Sequence, residues 1–445
     1  MKRFLSLLLV SMMMVGLLAA CGGEAATTAP TAGTGNTAAA TEAPAATEAP
    51  AATEAPAAAT EAPAATEAPA DATTAPTTGG AAVPVTGDVT LWHAYSTGGS
   101  EDAALTELIE AAKAANPDAN ISVLQVPFDQ VFSKFENDVA AGGGPDLLLA
   151  PNDSLGAQVR KGLLTPLDDL LAGKLENTVS TGVEGMKVDG VLYGVPESFK
   201  AVALYYNKST VPTPPATTDE LLQAVKDGKK LVLNQSIYHN FGFFQAFGAS
   251  LFDASNKCGA TTGGGDAIKY LQDLKAAGAT FSTDGSQADA LFREGKADMI
   301  INGPWVLGDY KKDLGDNLAV APMPAGPKGA AGPLTGTDGF VVSANSQNPE
   351  GAVALALFLT SAESQTIYTE KAGHVPSDKT VTIADPLVKG FSDAASTGVP
   401  RPQNQELDNF WTPFGDAVTK ALDGGEEANK AIADACAAMD TANGK

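Results

Sequence analysis

The stretch VTLWHAYSTGGSEDAALTELIEAAKAANPDANISVLQV, residues 89–126, decides the predicted fold. It begins with a short apolar strand at 89–92 and continues with a helix whose apolar residues recur every three or four positions. A second apolar strand follows at 121–126. Ser100 is predicted to cap the helix, because a serine followed by acidic residues favours a helix N-terminus. Short strands that alternate with amphipathic helices are typical of an α/β fold.

The same alternation continues along the chain. The part from Asp88 to Lys445 has 358 residues. This length is too great for one ordinary core and favours two lobes. Residues 200–207 are predicted as one long strand, and residues 416–439 as one C-terminal helix. Further predicted elements are helices at 131–139, 218–225, 267–277 and 288–294, and strands at 146–149, 231–233, 298–301 and 340–342.

The first twenty residues are predicted to be an export signal. Lys2 and Arg3 give a positive start, and the apolar run at 4–18 is too short to span a membrane comfortably. Small residues then precede Cys21, an arrangement that resembles the bacterial lipobox. Cys21 is therefore predicted to carry a lipid that anchors the exported protein at the outer face of the cytoplasmic membrane. The alternative is a chance cysteine at the end of the signal.

The segment at 21–84 is rich in Ala, Thr, Pro and Glu. The unit Thr-Glu-Ala-Pro occurs five times between Thr41 and Pro69. Such a composition buries too little apolar surface to offset the entropy of ordering, and its prolines favour extended chain. We therefore predict a disordered tether between the anchor and a globular part that starts near Asp88.

Composition and motifs exclude several function classes. The chain has 28 basic and 52 acidic side chains, and such an acidic surface argues against binding nucleic acid. The three histidines lack metal-ligand spacing, so neither a metal nor a cofactor is predicted. The sequence contains no His-Glu-x-x-His, Gly-x-Ser-x-Gly or phosphate-loop motif. A secreted glycosidase remains an alternative function only because the chain has many acidic residues that could supply the two catalytic carboxylates of such an enzyme.

Two cysteines remain after Cys21. Cys258 lies in a predicted loop and Cys436 in the last predicted helix. Paired cysteines in an exported protein favour a disulfide, and two unlinked thiols are the alternative.

Five short strings occur in order along the globular part, and each is weak alone. They are GPDLL at 144–148, YGVP at 193–196, LYYNK at 204–208, FREGKADMIINGPW at 292–305, and PRP at 400–402 followed by FW at 410–411. Together they resemble the maltose/maltodextrin-binding proteins of bacterial ABC importers. The resemblance covers nearly all of Asp88–Lys445.

The resemblance implies a two-lobed periplasmic-binding-protein-like fold of type II, in which each lobe is a sheet flanked by helices. It implies lobe one at 88–200 and 338–385, and lobe two at 201–337 and 386–445, with crossovers near 199–204, 335–342 and Asp385. The ligand, an oligosaccharide of the maltodextrin type, would lie in the cleft at the hinge. The closed form, a monomer, would then dock on the permease subunits.

Aromatic rings are expected to cover the flat faces of a sugar, while polar groups bind its hydroxyls. The resemblance places Trp305, Trp411 and Tyr238 at stacking positions of lobe two, although each is also acceptable as a core aromatic. Trp305 follows a turn at a strand end, where the ligand sites of open α/β sheets gather.

Polar contacts to the ligand are predicted from lobe one. Asp153 falls where the family places a hydroxyl-binding aspartate, although it is also suited to cap the following helix. Asn152 directly precedes Asp153. Two of the others, a histidine and a tyrosine, end the first strand. The remaining three lie beside the first crossover, where solvation by water is the alternative interpretation. The full set is Asp153, Asn152, His93, Tyr95, Glu197, Ser198 and Lys200.

The chain departs from the family pattern at three positions. Ser154 stands where an arginine is frequent, Ala150 where some members have tryptophan, and Lys200 where many have glutamate. Loss of the arginine contact and of the glutamate contact is each expected to shift specificity by about 1–3 kcal/mol, so these departures leave the identity of the sugar open. A sensor subunit that presents its closed form to a membrane receptor is the other open function, because the same fold serves both uses.

Overall fold

The structure is a computed structural model of the chain, and it describes residues 83–445. The predicted export signal, the lipidation of Cys21 and nearly all of the predicted tether lie outside the described residues. Within 83–445, no helix is both long enough and apolar enough to cross a membrane.

Strands and helices alternate through the described residues. The strands are β1 Gly87–His93, β2 Ala119–Gln125, β3 Leu147–Pro151, β4 Lys187–Val188, β5 Val191–Leu192, β6 Gly194–Lys200, β7 Ala203–Asn207, β8 Leu231–Asn234, β9 Thr280–Ser282, β10 Met299–Asn302, β11 Leu318–Ala321, β12 Leu334–Val342, β13 Val375–Pro376 and β14 Val399–Pro400. The α-helices are α1 Ser100–Ala115, α2 Phe128–Ala140, α3 Leu155–Arg160, α4 Ser180–Gly185, α5 Thr218–Lys226, α6 Ile237–Ala246, α7 Gly264–Ala277, α8 Gly285–Arg293, α9 Leu307–Leu314, α10 Pro349–Leu359, α11 Ala362–Ala372, α12 Pro386–Ser396, α13 Gln405–Asp408, α14 Trp411–Asp423 and α15 Ala428–Ala442.

Lobe one is built on a seven-stranded sheet with the order β13-β6-β12-β3-β1-β2, and β14 pairs with the start of β12. Strand β1 is parallel to β2 and β3, whereas β12 is antiparallel to β3 and β6. The apolar run Leu147–Leu149 is at most 1% exposed, because helices cover both faces of this central strand. The predicted opening βαβαβ unit is therefore confirmed.

Lobe two is built on a five-stranded sheet with the order β11-β7-β10-β8-β9. Successive side chains of a strand point to opposite faces of the sheet. Met299 and Ile301 accordingly contribute to one buried cluster, and Ile300 joins Tyr205 in the cluster on the other face. The sheet is thus covered on both sides, as its apolar strands require.

The prediction of one strand over 200–207 is wrong. Strand β6 ends at Lys200 in the sheet of lobe one, and β7 begins at Ala203 in the sheet of lobe two. Only Ala201 and Val202 connect them, and both are buried. Because the apolar pattern runs through this crossover without a polar break, periodicity alone does not reveal it.

Two further local predictions are wrong. The single helix predicted over 416–439 is divided into α14 and α15 around Gly424 and Gly425, and Gly425 has a φ of +66° that a helix interior does not adopt. Ser100 is the first helical residue rather than the cap. Gly99 holds the N-cap position, and no side chain bonds there.

A disulfide joins Cys258 to Cys436 across 178 positions of the chain, with 5.3 Å between the Cα atoms. It ties the loop before α7 to helix α15 within the core of lobe two, where both residues are 4% exposed. The backbone N–H of Cys258 also donates to Asp440 Oδ1 at 2.8 Å. Because the two cysteines are 178 positions apart, the disulfide closes a very long loop of the chain.

Removing this bond with Cys258→Ser and Cys436→Ser is expected to lower the free energy of unfolding by about 2–4 kcal/mol, because the unfolded chain gains freedom. Urea denaturation measures the change. Wild-type protein in reductant serves as the control and should lose a similar amount. Two free thiols in the mass spectrum of the unreduced protein would contradict the bond.

Candidate functional site

A cavity of about 1240 Å³ is lined by residues of both lobes. Its wall includes residues that follow the carboxyl ends of β1, β3, β8 and β10, and the last residue of β6. Ligands of open α/β sheets bind at this edge. The volume exceeds the roughly 300–1,000 Å³ of sites for drug-sized ligands. The cavity therefore has room for an extended ligand.

The three predicted stacking residues lie together in the lobe-two wall of this cavity. Trp305 stands in the 3₁₀ turn after β10, Tyr238 in the first turn of α6, and Trp411 at the start of α14. The ring centroids of Tyr238 and Trp305 are 6.2 Å apart. All three rings pack against the core of lobe two and remain partly exposed. They form an aromatic wall of the kind that covers sugar faces.

Arg401 connects this aromatic wall to Asp153, which lies in the loop after β3. The two side chains form an ion pair, and the guanidinium carbon lies 5.3 Å from the Tyr238 ring centroid and 5.6 Å from that of Trp411. Burial lowers the pKa of Arg401 to about 10, so the group is charged at neutral pH. The contact is a charge-assisted, cation–π bridge between the lobes.

Sequence reasoning missed Arg401 as a site residue. The family pattern places an arginine directly after the aspartate, where this chain has Ser154. The structure brings a guanidinium to Asp153 from a position 248 residues further along the chain. The only sequence signal was its place in the string PRP at 400–402.

Lys200 lies at the hinge and lines the cavity. Its Nζ atom is 2.5 Å from Asp338 Oδ2 on β12 and 3.3 Å from Glu101 Oε1 on α1. It is also 5.5 Å from the ring centroid of Trp305. Burial alone would lower the pKa of Lys200, but the two carboxylates raise it above its usual value. Burial raises the pKa of Asp338 to about 6, so both partners are ionised at pH 7.

The polar wall contains buried atoms without a hydrogen-bond partner. Among them are Tyr95 Oη, Asp338 Oδ1 and Arg401 Nε, and each belongs to a residue that is at most 6% exposed and lines the cavity. A buried polar atom costs free energy unless it is bonded. These atoms are therefore suited to bind a hydroxyl-rich ligand.

Six of the ten predicted ligand residues line the cavity, namely Trp305, Trp411, Tyr238, Asp153, Tyr95 and Lys200. The other four are buried and do not line it. The side chain of Asn152 is bonded to Gly185 O, Thr337 N and Arg401, and Glu197 is bonded to His374. His93 and Ser198 are at most 3% exposed. These four residues support the wall from behind.

The two-lobed α/β fold and the cleft define a class of proteins that bind a ligand between two lobes. Residues 107–391 match the family model described as "Bacterial extracellular solute-binding protein", and the chain belongs to this family. Within 83–445, no cluster of His, Cys, Asp and Glu is suited to hold a metal ion.

Known relatives agree on the class and on the fold. The chain is 28% identical to the galactooligosaccharide-binding protein of Bacillus subtilis, over 71% of this chain and 81% of that protein. It is 26% identical to the maltooligosaccharide ABC transporter solute-binding lipoprotein of Streptococcus pneumoniae, over 73% of this chain and 83% of that one. The solved structure of the Thermus thermophilus maltotriose-binding protein is 31% identical, has a TM-score of 0.73, and covers 80% of this chain and 100% of its own. The predicted two-lobed fold is thereby confirmed.

Proposed function

We propose that the protein captures a neutral oligosaccharide of the maltodextrin type by closing its lobes and delivers it to an ABC importer. The aromatic wall of Trp305, Tyr238 and Trp411, set beside the pair of Arg401 and Asp153, carries this proposal. Rings of one lobe would cover the sugar faces, and polar groups of the other would bind the hydroxyls. The names of the relatives from Streptococcus pneumoniae and Thermus thermophilus support the same ligand class.

A galacto-oligosaccharide is the second candidate ligand. The relative in Bacillus subtilis is named for it, and Ser154 and Lys200 change two contacts that the maltodextrin pattern would supply. The choice between the two sugars therefore depends on measured binding to both series.

The remaining parts of the proposal concern the whole chain. We infer export through residues 1–20, a lipid anchor on Cys21 and a tether at 21–84. Lobe one would then comprise 88–200 and 338–385, and lobe two would comprise 201–337 and 386–445. Residues 334–337 and 399–400, which pair within the sheet of lobe one, would form crossovers between the lobes. The protein would act as a monomer that presents its closed form to the permease subunits. It would perform no chemical step on the sugar, in keeping with its family.

Trp305→Ala is expected to weaken oligosaccharide binding by about 1–3 kcal/mol, because the sugar loses a stacking face. Isothermal titration with maltotriose and with a galacto-trisaccharide measures the change. Trp305→Phe keeps a smaller ring and should lose less. A wild type that gives no thermal shift with either series from two to seven units would contradict the proposed function.

A further inference from the structure

Phe128 is an aromatic side chain that the core does not cover. It is the first residue of α2 and is 53% exposed, more than Val83, Val123 or Leu124, the other exposed large hydrophobic residues in the described part of the chain. Its ring meets the ring of Phe132 edge to face, with centroids 5.7 Å apart. Phe132 in turn packs against the core of lobe one. Phe132 therefore supports the exposed ring of Phe128 on the side that faces the core.

Phe128 lines the same cavity as the aromatic wall, but from the opposite lobe. The other aromatic side chain that lobe one contributes to the cavity is Tyr95, which is only 6% exposed. An exposed apolar residue is ordinary on a protein surface. An exposed ring in the wall of a cleft that is otherwise lined by rings and polar groups has the chemistry of a sugar platform. Its exposure places it at the mouth of the cleft.

The cavity extends well beyond the aromatic wall. Residues of α8 and α9 also line it, among them Arg293, Lys312 and Asp313, and the first and last of these form an ion pair. This part of the wall is polar and lies on lobe two. Lobe two therefore supplies hydrogen-bonding groups to the cavity beyond the aromatic wall, and lobe one supplies the ring of Phe128.

We propose that Phe128 is the platform of an additional sugar subsite at the cleft mouth, which binds the terminal units of longer oligosaccharides. This inference rests on the proposed function and adds the preferred length of the ligand. Short oligosaccharides fill the site at the aromatic wall and do not reach Phe128. Affinity therefore rises with chain length, and the rise depends on this ring.

The test compares wild type with Phe128→Ala by isothermal titration against maltotriose, maltopentaose and maltoheptaose, and against galacto-oligosaccharides of the same lengths. The variant should bind the trisaccharide within about twofold of wild type and lose about five- to tenfold with the heptasaccharide, as expected when one stacking ring is removed. Leu124→Ala is the matched control. It truncates an exposed apolar residue of the same lobe that does not line the cavity, and it should leave every affinity unchanged.

The outcomes separate this inference from the function on which it rests. If Phe128→Ala lost the same affinity for oligosaccharides of every length, or lost none, the proposed subsite would be wrong. Binding by the wild type in the same experiment would still support the proposed function. Trp305→Ala should lose affinity at every length, which distinguishes the central site from the mouth. A wild type that binds neither series would overturn the proposed function and the subsite together.

Discussion

Replacing Lys200 with methionine is expected to lower the free energy of unfolding by about 3–5 kcal/mol, the range found when one partner of a buried ion pair is removed. The ammonium contacts Asp338 and Glu101, and all three residues are at most 8% exposed. Methionine keeps a side chain of similar length but leaves the buried Asp338 without its cation, whereas Glu101 keeps only its contact with His374. Urea denaturation at pH 7, followed by circular dichroism, measures the loss.

Two variants separate the buried charge from the lost side chain. Lys389→Met removes an ammonium that lies 2.8 Å from Asp393 on the exposed surface, and it should cost less than about 0.5 kcal/mol. Lys200→Met combined with Asp338→Asn removes both members of the buried pair and should recover part of the loss. If Lys200→Met costs no more than Lys389→Met, the buried ion cluster does not stabilise the hinge.

Lys200 also shows where prediction from sequence ends. Its position beside the first crossover was accessible, because the strings YGVP and LYYNK flank it. Its partners were not, because Glu101 and Asp338 come from α1 and from β12. The sequence around a carboxylate does not indicate which distant lysine or arginine will pair with it in the folded protein. The pair of Arg401 and Asp153 escaped prediction for the same reason.

Local periodicity predicted the bounds of a helix or strand well where all of its residues pack within the same part of the fold. Strands β1 and β3 and the start of helix α1 were found within about two residues, because β1 and β3 are largely apolar, buried strands and α1 buries one regular face. The prediction failed at residues 200–207, where a buried crossover continues the apolar run between two sheets. The aromatic wall was predicted only through the resemblance, since nothing in the spacing of Tyr238, Trp305 and Trp411 places them together.

His374 is held between two carboxylates behind the cleft. Its Nδ1 atom is 2.9 Å from Glu197 Oε1 and its Nε2 atom is 2.8 Å from Glu101 Oε1. The ring stacks on Tyr368 and meets Tyr95 edge to face. Since a carboxylate only accepts hydrogen bonds, both ring nitrogens must donate, and the ring is the charged imidazolium. The cation neutralises charge that Lys200 alone does not balance.

This geometry gives the protein a stability that depends on pH. Burial alone would lower the pKa of His374, but Glu197 and Glu101 raise it to about 10, against about 6.5 in an unfolded chain. The folded state therefore holds this proton more tightly than the unfolded state. The resulting stabilisation is complete below about pH 6.5 and is lost as the pH rises toward 10. We expect a loss on the order of a few kcal/mol across this interval.

Urea denaturation of wild type and His374→Gln between pH 7 and pH 9.5 tests this expectation. Asp338, with a pKa of about 6, titrates below this window, and burial places the hydroxyls of Tyr95 and Tyr368 above it. Wild-type stability should fall as the pH rises, whereas the variant should be less stable at pH 7 and nearly flat, because glutamine carries no titrating proton. His239→Gln is the matched control. Burial lowers the pKa of His239 to about 4, so its replacement should leave the slope above pH 7 unchanged. A slope that survives in His374→Gln would show that His374 is already neutral in the folded protein.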